Sequence, residues 1–462
     1  MMPAPLRPPA VPAIEGTRVV VAGAARSGLA LARFLLARGA RVTLSDARPL
    51  PELSPEAADL GRAGVALETG GHVDTTFASA DLIVVSPGVP LTLAPVAAAR
   101  ARGVRVVAEV EVASWFLEGM LVGITGSNGK STTTALLGHI LASAGVPAVA
   151  CGNLGTPLIE MTADDTNERI YVVELSSFQL EGIETFRPRL GALLNLSPDH
   201  QDRYPDAQAY YAAKARLFMN QKPADHAILN QDDAEVLRLT TGIRSQRHLF
   251  SRRQPLSDGA CLQDGDLVLV EDGVEEPVIP AGDLPLFGVH QQENVLAALL
   301  MAHLIGVEAE DMAAAVRSFR GLPHRLERVR ELHGVSWFND SKATNVGAAA
   351  QSLRSFASGV VLILGGKDKG GAFAELVPLV RERVAHLVLM GAARDAIREQ
   401  MGDAVPTTMA KDMEEAIAAA RREVRPAGVV LLAPACASFD QYSGFEARGE
   451  DFRRRVLALE EA

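Results

Sequence analysis

The run Thr125-Gly-Ser-Asn-Gly-Lys-Ser-Thr-Thr133 lies between an apolar stretch and a helical pattern. That is the setting a phosphate loop needs: glycines let backbone N–H groups curl around phosphate oxygens, and the following helix turns its positive end toward them. Lys130 then meets the charge of the β and γ phosphates, and the Ser131 hydroxyl suits Mg2+. Ile124 stands where the strict consensus has its first glycine, so the loop is a variant. Glu174 ends the apolar run Tyr171-Val-Val-Glu174, and Asp199-His200 follow Leu193-Leu-Asn-Leu-Ser-Pro198. Both clusters fall past the carboxyl ends of expected strands, where open α/β sheets bind ligands. Glu174 can share Mg2+ with Ser131, and His200 can hold a second ion, although Mg2+ prefers oxygen. Lys214 lies in an amphipathic segment, and its pattern alone reads as a structural charge.

Three more polar clusters follow apolar runs nearer the carboxyl end. Asn339-Asp-Ser-Lys-Ala-Thr-Asn345 is dense in donors, with His324-Arg325 upstream, and Lys367-Asp-Lys369 follows a Gly-Gly turn. Together they suggest an anion site at one edge of a sheet. The run Pro434-Ala-Cys-Ala-Ser-Phe-Asp-Gln-Tyr-Ser-Gly-Phe445 offers Ser438 and backbone N–H groups to a carboxylate, or else caps the final helix.

These residues need strands and helices to hold them. Short β-branched or apolar runs predict strands over 18–22, 41–45, 81–86, 120–125, 170–175, 191–196, 335–339, 360–364, 386–390 and 429–433. Helical patterns end near 38 and 145 and cover 206–220 and 292–304. Breaks near Glu109 and at Arg320-Gly-Leu-Pro323 divide the chain into a disordered tail (1–15) and units over 16–108, 109–321 and 322–462. A length of 462 residues suits about three domains. With 45 Lys and Arg against 56 Asp and Glu, the net charge of -11 argues against a nucleic-acid partner bound through a broad basic field. No apolar run reaches the roughly 18 residues of a membrane span, and the Pro-rich opening lacks the apolar core of a signal peptide. Cys151, Cys261 and Cys436 are too scattered for a disulfide framework, which fits a cytoplasmic setting.

Taken together, the motifs resemble those of the Mur ligases of peptidoglycan synthesis, over nearly the whole chain from Val19 onward. The resemblance rests on Gly126-Ser-Asn-Gly-Lys-Ser-Thr132, Glu174-Leu-Ser-Ser-Phe-Gln-Leu180, Asn195-Leu-Ser-Pro-Asp-His-Gln-Asp-Arg-Tyr204, Gly321-Leu-Pro-His-Arg325, Asn339 to Asn345, Ser438-Phe-Asp-Gln-Tyr442 and Phe445-Glu-Ala-Arg-Gly449. The later motifs look like the D-glutamate-adding branch, and the Asp-Asn-Pro-Arg motif of the diamino-acid-adding relatives is missing from the sequence.

The resemblance implies a three-domain α/β ligase with a Rossmann-like N-terminal domain, a central P-loop ATPase domain and a Rossmann-like C-terminal domain. It further implies that ATP drives the joining of UDP-N-acetylmuramoyl-L-alanine to D-glutamate through an acyl-phosphate, with two Mg2+ ions, in a monomer. By resemblance Ser127, Asn128, Gly129, Lys130, Ser131, Thr132, Thr133, Asn294, Arg325 and Asp340 would bind ATP, and Lys130, Glu174, His200, Lys214 and Lys342 would be catalytic. Lys214 would carry a carbamate derived from CO2, joining Ser131, Glu174 and His200 around the metal. Ser27, Asp46, Arg48, Ser86, Gly88 and Asn153 would face the UDP-linked substrate, and Thr344, Lys369, Ser438, Phe439 and Phe445 the D-glutamate. The Gly23-Ala-Ala-Arg-Ser-Gly28 turn lacks the middle glycine of a dinucleotide fingerprint, which argues against a dehydrogenase. Two rivals remain: another amide ligase, such as a folylpolyglutamate synthase, and a nucleotide-switched binding protein that hydrolyses ATP without ligation.

Overall fold

The computed structural model describes residues 13–200, 203–368 and 370–460. Apart from residues 13–15, the tail expected over 1–15 lies outside them, as does Lys369. The chain divides into two compact units, one of residues up to 284 with 292–319, the other of 285–291 with 320 onward.

The first unit holds two sheets. One is built from β1 (Arg18–Ala22), β2 (Arg41–Asp46), β3 (Ala66–Thr69), β4 (Leu82–Val85) and β5 (Arg105–Ala108), all parallel in the order β3-β2-β1-β4-β5. Val19, Val20 and Val21 are all buried, so the central strand is covered on both faces, as its unbroken apolar run requires. The turn after β1 brings Gly28 so close that a Cβ there would stand 1.9 Å from the Gly23 carbonyl oxygen. Glycine at both ends of the turn therefore lets the helix Arg26–Ala37 start directly above the strand.

The second sheet comprises β6 (Met120–Thr125), β7 (Ala148–Gly152), β8 (Ile170–Glu174), β9 (Leu190–Leu193), β10 (His226–Asn230), β11 (Gln246–Ser251), β12 (Gly259–Gln263), β13 (Asp266–Glu271) and β14 (Val274–Pro280). Its order is β14-β13-β12-β11-β10-β9-β6-β8-β7, parallel from β6 to β12 and antiparallel thereafter. β6 lies between β8 and β9, so the strand order reverses where the phosphate loop leaves the sheet. β14 is an edge strand, with Val274, Glu275, Glu276 and Pro277 exposed and a register shift opposite it at Leu267/Val268.

Between the two sheets, β5 runs straight into the helix Glu109–Ser114. The buried Glu111 carboxylate accepts the amides of Glu184, Thr185 and Phe186 at 2.8 to 2.9 Å and the Trp115 indole N–H at 2.9 Å. Glu109 is also buried. Its Oε1 accepts the Ile159 amide at 2.7 Å, while its Oε2 has no partner among the described residues. Burial pushes the Glu109 carboxyl up to about 7.

The second unit carries β15 (Glu327–Leu332), β16 (Val335–Asn339), β17 (Val360–Gly365), β18 (Val384–Met390), β19 (Thr407–Met409) and β20 (Val429–Leu432), in the order β15-β16-β20-β17-β18-β19. Only β15 pairs antiparallel. The 285–291 segment joins this unit through Phe287, whose ring centroid lies 4.8 Å from those of Phe338 and Phe356. Among the described residues no helix is long and apolar enough to cross a membrane. Cys151, Cys261 and Cys436 are free and buried.

Candidate active site

At the end of β6 the Thr125 hydroxyl donates to the Leu175 carbonyl at 2.7 Å, tying the start of the loop to the end of β8. Gly129 then adopts φ 83°, and a Cβ there would stand 2.1 Å from Asn294 Oδ1. The loop is strapped to the segment after β9. Ser127 N donates to the Asn195 carbonyl at 2.9 Å, Asn128 N to Asn195 Oδ1 at 2.8 Å, and Asn195 Nδ2 back to the Asn128 carbonyl at 3.1 Å. Ser127 Oγ donates to the Ser197 carbonyl at 3.0 Å and accepts the Ser197 amide at 2.9 Å. The Asn195 side chain was not singled out from sequence, although it opens a quoted motif.

Two lysines converge on this loop. Lys130 Nζ donates to the carbonyls of Gly126 and Ser127 at 2.8 and 2.9 Å, and Lys214 Nζ donates to the same Gly126 carbonyl at 2.8 Å. Lys214, whose pattern alone reads as structural, is 1% exposed, with its Nζ 4.5 Å from the centroid of the Tyr210 ring. Burial, then the neighbouring Lys130 charge, holds the Lys214 ammonium well below its ordinary pKa, against the opposing pull of Asp199 and Glu174. Both effects push the side chain toward the neutral amine.

Glu174 is buried at the end of β8, where its Oε1 accepts Asn153 Nδ2 at 2.6 Å. Its Oε2 has no partner among the described residues, nor has Thr133 Oγ1 in the first turn after the loop. A buried carboxylate oxygen left unpaired is costly, and a cation would satisfy it. Ser131 is buried in the same turn, and Thr132 is half-buried beside it. His200 is exposed at φ 52°, its ring 4.8 Å from that of Phe178 and 5.7 Å from that of Tyr210. Among the described residues no three of His, Cys, Asp and Glu are grouped to hold a metal ion. Mg2+ takes one or two protein oxygens and completes its shell with phosphate and water, and the unpaired Glu174 oxygen and the Ser131 hydroxyl are of that kind.

On the five-stranded sheet, Asp46 ends β2 and accepts the Ala24 amide at 2.7 Å and the Arg48 amide and guanidinium at 2.9 to 3.0 Å. Burial opposes its ionisation, but the Arg48 and backbone donors outweigh that and hold it at about 2. Ser86 Oγ donates to the Gly23 carbonyl at 3.0 Å, closing the Gly88 turn over the glycine turn, and Ser27 is half-buried at the start of the adjacent helix.

In the second unit Asp340 follows β16 beside Arg325 and accepts the Ser352 hydroxyl and the Leu326 amide. Desolvation nevertheless raises its pKa. Lys342 Nζ lies 4.0 Å from the centroid of the Phe445 ring, its amide bonds the His324 carbonyl, and Thr344 N bonds the Lys342 carbonyl at 2.8 Å. Ser438 is buried and Phe439 is 63% exposed. The final helix is N-capped by Gly444 with no side-chain bond, so capping does not explain Ser438. Arg448, missed from sequence despite standing in a quoted motif, is buried and bonds Ser341 Oγ at 3.0 Å and the carbonyls of Ser341, Gly365, Cys436 and Ala437. One side chain thus ties together the loops bearing Lys342, Lys367 and Ser438.

Family models match along most of the chain: a Mur ligase MurD-like N-terminal domain over residues 17–108, a Mur ligase middle domain over 124–302 and a Mur ligase glutamate ligase domain over 324–436. The UDP-N-acetylmuramoylalanine--D-glutamate ligase of Geotalea uraniireducens (strain Rf4) is 46% identical over 445 residues, covering 96% of this chain and 98% of its own. The chain belongs to the Mur ligase family. The enzyme of the same name from Acidobacterium capsulatum is 45% identical, covering 96% of this Mur ligase and 97% of its own chain. Among solved structures, a UDP-N-acetylmuramate-alanine ligase from Thermotoga maritima has TM-score 0.59 at 16% identity, covering 96% and 99% of the two chains. A pseudomurein peptide ligase type C from Methanothermus fervidus has TM-score 0.58 at 17% identity, covering 96% and 100%. At that identity the likeness speaks for the three-domain α/β fold of this Mur ligase.

Proposed function

We infer that this Mur ligase joins D-glutamate to UDP-N-acetylmuramoyl-L-alanine at the expense of ATP, in peptidoglycan precursor synthesis. The observation that carries the chemistry is the phosphate loop at the strand-order reversal, with Lys130 on the loop and an unpaired Glu174 oxygen buried at the end of β8. Its relatives' names, at 44–46% identity over 96% of the chain, support the choice of substrates.

A carboxylate is a poor electrophile, so the γ-phosphoryl of ATP is first moved onto the alanyl carboxylate. That brings two anions together, and the Lys130 charge with the loop amides offsets their repulsion. The amine of D-glutamate then attacks the acyl carbon. The C–N bond forms, the C–O bond to phosphate breaks, and the amine releases a proton as phosphate leaves. Mg2+, when bound, supplies Lewis-acid neutralisation of the phosphoryl oxygens. Ser131 and Glu174 would hold it through oxygen, with His200 offering a nitrogen.

A neutral Lys214 amine is the form that attacks CO2, making an N–C bond and releasing a proton to leave a carbamate. We propose this modification because it replaces a buried amine beside Lys130 with an anion, which the Lys130 charge attracts. In the second unit, Arg325 and Asp340 would hold the nucleoside, while Lys342, Thr344, Lys369, Ser438, Phe439 and Phe445 would surround D-glutamate. Asp46, Arg48, Ser27, Ser86 and Gly88 would face the uridine nucleotide. Asn153 would orient Glu174 as well as meet the sugar diphosphate.

The test is phosphate release from ATP. The ligase requires release to depend on both UDP-N-acetylmuramoyl-L-alanine and D-glutamate. Release indifferent to both would instead identify a nucleotide switch.

A further inference from the structure

Arg203 is not among the residues assigned to substrate, nucleotide or metal, yet its side chain touches two separate pieces of the first unit. Its Nη1 donates to the Pro87 carbonyl at 3.1 Å and its Nη2 to the Val89 carbonyl at 3.3 Å. Both acceptors belong to the turn closed by Val89 N donating to the Ser86 carbonyl at 2.9 Å. The guanidinium carbon lies 3.8 Å from the centroid of the Phe178 ring, and Nη2 is 3.5 Å from Glu181, both on the helix Ser177–Glu181 that follows Glu174. The Arg203 backbone amide donates to the His200 carbonyl at 3.0 Å, and the Phe178 ring that carries the guanidinium also meets the His200 ring.

We propose that Arg203 is a positioning residue that fixes the 86–89 turn, and so the UDP-linked substrate, against the helix Ser177–Glu181 beside His200. This rests on the reading of Ser86 and Gly88 as substrate-facing. The planar fork sends a separate nitrogen to each of two carbonyls of one turn, and its flat face rests on an aromatic ring. The restraint passes onward, because Ser86 Oγ holds the Gly23 carbonyl and a Cβ on Gly23 would meet Val89 Cγ2 at 2.9 Å. The Arg203 side chain is only 15% exposed, so little water competes for its donors. Freeing the turn lets the substrate's uridine end move relative to the reacting carboxylate, a loss of ground-state placement that acts on one substrate alone.

The experiment compares Arg203→Met, Arg203→Lys and Phe178→Leu with the wild type and with Ser86→Ala. It combines steady-state kinetics with calorimetric titration of UDP-N-acetylmuramoyl-L-alanine without Mg2+ or ATP. Arg203→Met should raise the KM for the UDP-linked substrate by about tenfold or more while leaving those for ATP and D-glutamate within about twofold, and calorimetric affinity should fall in parallel. Arg203→Lys should fall between wild type and Arg203→Met. Phe178→Leu, which removes only the stacking face, should move the same KM by less and provides the test if Arg203→Met does not fold. A loss confined to kcat, or a rise of all three KM values together, overturns the proposal and marks Arg203 as a strut. If Ser86→Ala raises the KM for the UDP-linked substrate and the Arg203 and Phe178 variants do not, the proposal falls while the substrate-facing turn stands. If none of them does, the reading of the turn falls too.

Discussion

Two lysine side-chain nitrogens share the Gly126 carbonyl, and Lys130 also reaches a second carbonyl of the loop, at Ser127. Lys130 is the cation of that pair, and removing it strips the loop of its fixed charge. Lys130→Ala should fold normally and lose at least about a hundredfold in turnover, roughly 3 kcal/mol of transition-state stabilisation, read by phosphate release and circular dichroism. A folded variant with near-normal turnover would refute the ATP-site assignment. Lys214→Ala should be inactive yet regain part of its activity with added acetate or propionate, whose carboxylate fills the space near the loop. Lys214→Arg puts a permanent positive charge there and should not respond. Intact-protein mass spectra without a carbamate in active, Mg2+-loaded enzyme would count against the modification. The burial of Lys214 was legible in principle: Tyr210, Lys214, Leu217 and Phe218 recur at helical spacing on the covered face, and the lysine shares it. Composition gave no reason to place a lysine there, since most lysines on amphipathic segments turn their charge to water.

At the scale of elements, the phosphate loop depends on how close the helix His290–Ile305 comes to it. Gly129→Ala would force a methyl group to within 2.1 Å of Asn294 Oδ1 at a backbone angle that L residues rarely adopt. It should raise the KM for ATP by about tenfold or more with a smaller effect on the KM for D-glutamate. In the second unit, Ser438 lies in a loop held by Arg448 through the Cys436 and Ala437 carbonyls. Ser438→Ala should raise the KM for D-glutamate while leaving that for ATP nearly unchanged, and the wild type should use D-glutamate far better than L-glutamate. A pocket that pairs two carboxylates in one geometry leaves buried donors unpaired with the wrong enantiomer. Equal shifts for ATP and D-glutamate would misplace the pocket. Strands of the parallel core were legible because each is an apolar run between a glycine turn and a helix: 18–22, 120–125 and 335–339 match their strands residue for residue. β9 is shorter than expected, ending at Leu193 instead of 196, because its chain then turns to strap the phosphate loop. The strands β10 to β14 were not read at all. Yet β12 to β14 are joined by Asp264-Gly265 and Asp272-Gly273, each with positive φ at both positions, the Asp-Gly signature of tight hairpins.

For the whole molecule, the joint after β5 carries a pH-dependent term. The Glu109 carboxyl stands at about 7 in the folded chain against 4.5 for an ordinary glutamate, so the folded state holds its proton more tightly. Its contribution is fully present below pH 4.5 and is lost as pH rises through 7. Melting temperatures between pH 5 and 8 should therefore fall more steeply for the wild type than for Glu109→Gln, reflecting a stability difference of up to about 3 kcal/mol. Parallel slopes would show that Glu109 ionises without cost. The open side of β14 has consequences for how many copies of the chain can be crowded together. An exposed strand edge is a template on which another polypeptide can add hydrogen bonds, and here it carries Glu275, Glu276 and Pro277. Two carboxylates repel an approaching copy, and the proline offers no N–H to a neighbour. A nine-stranded sheet can thus end on an exposed strand without pairing to a second copy along it. Glu275→Val with Glu276→Val should leave turnover intact in dilute solution and make light scattering rise steeply with protein concentration.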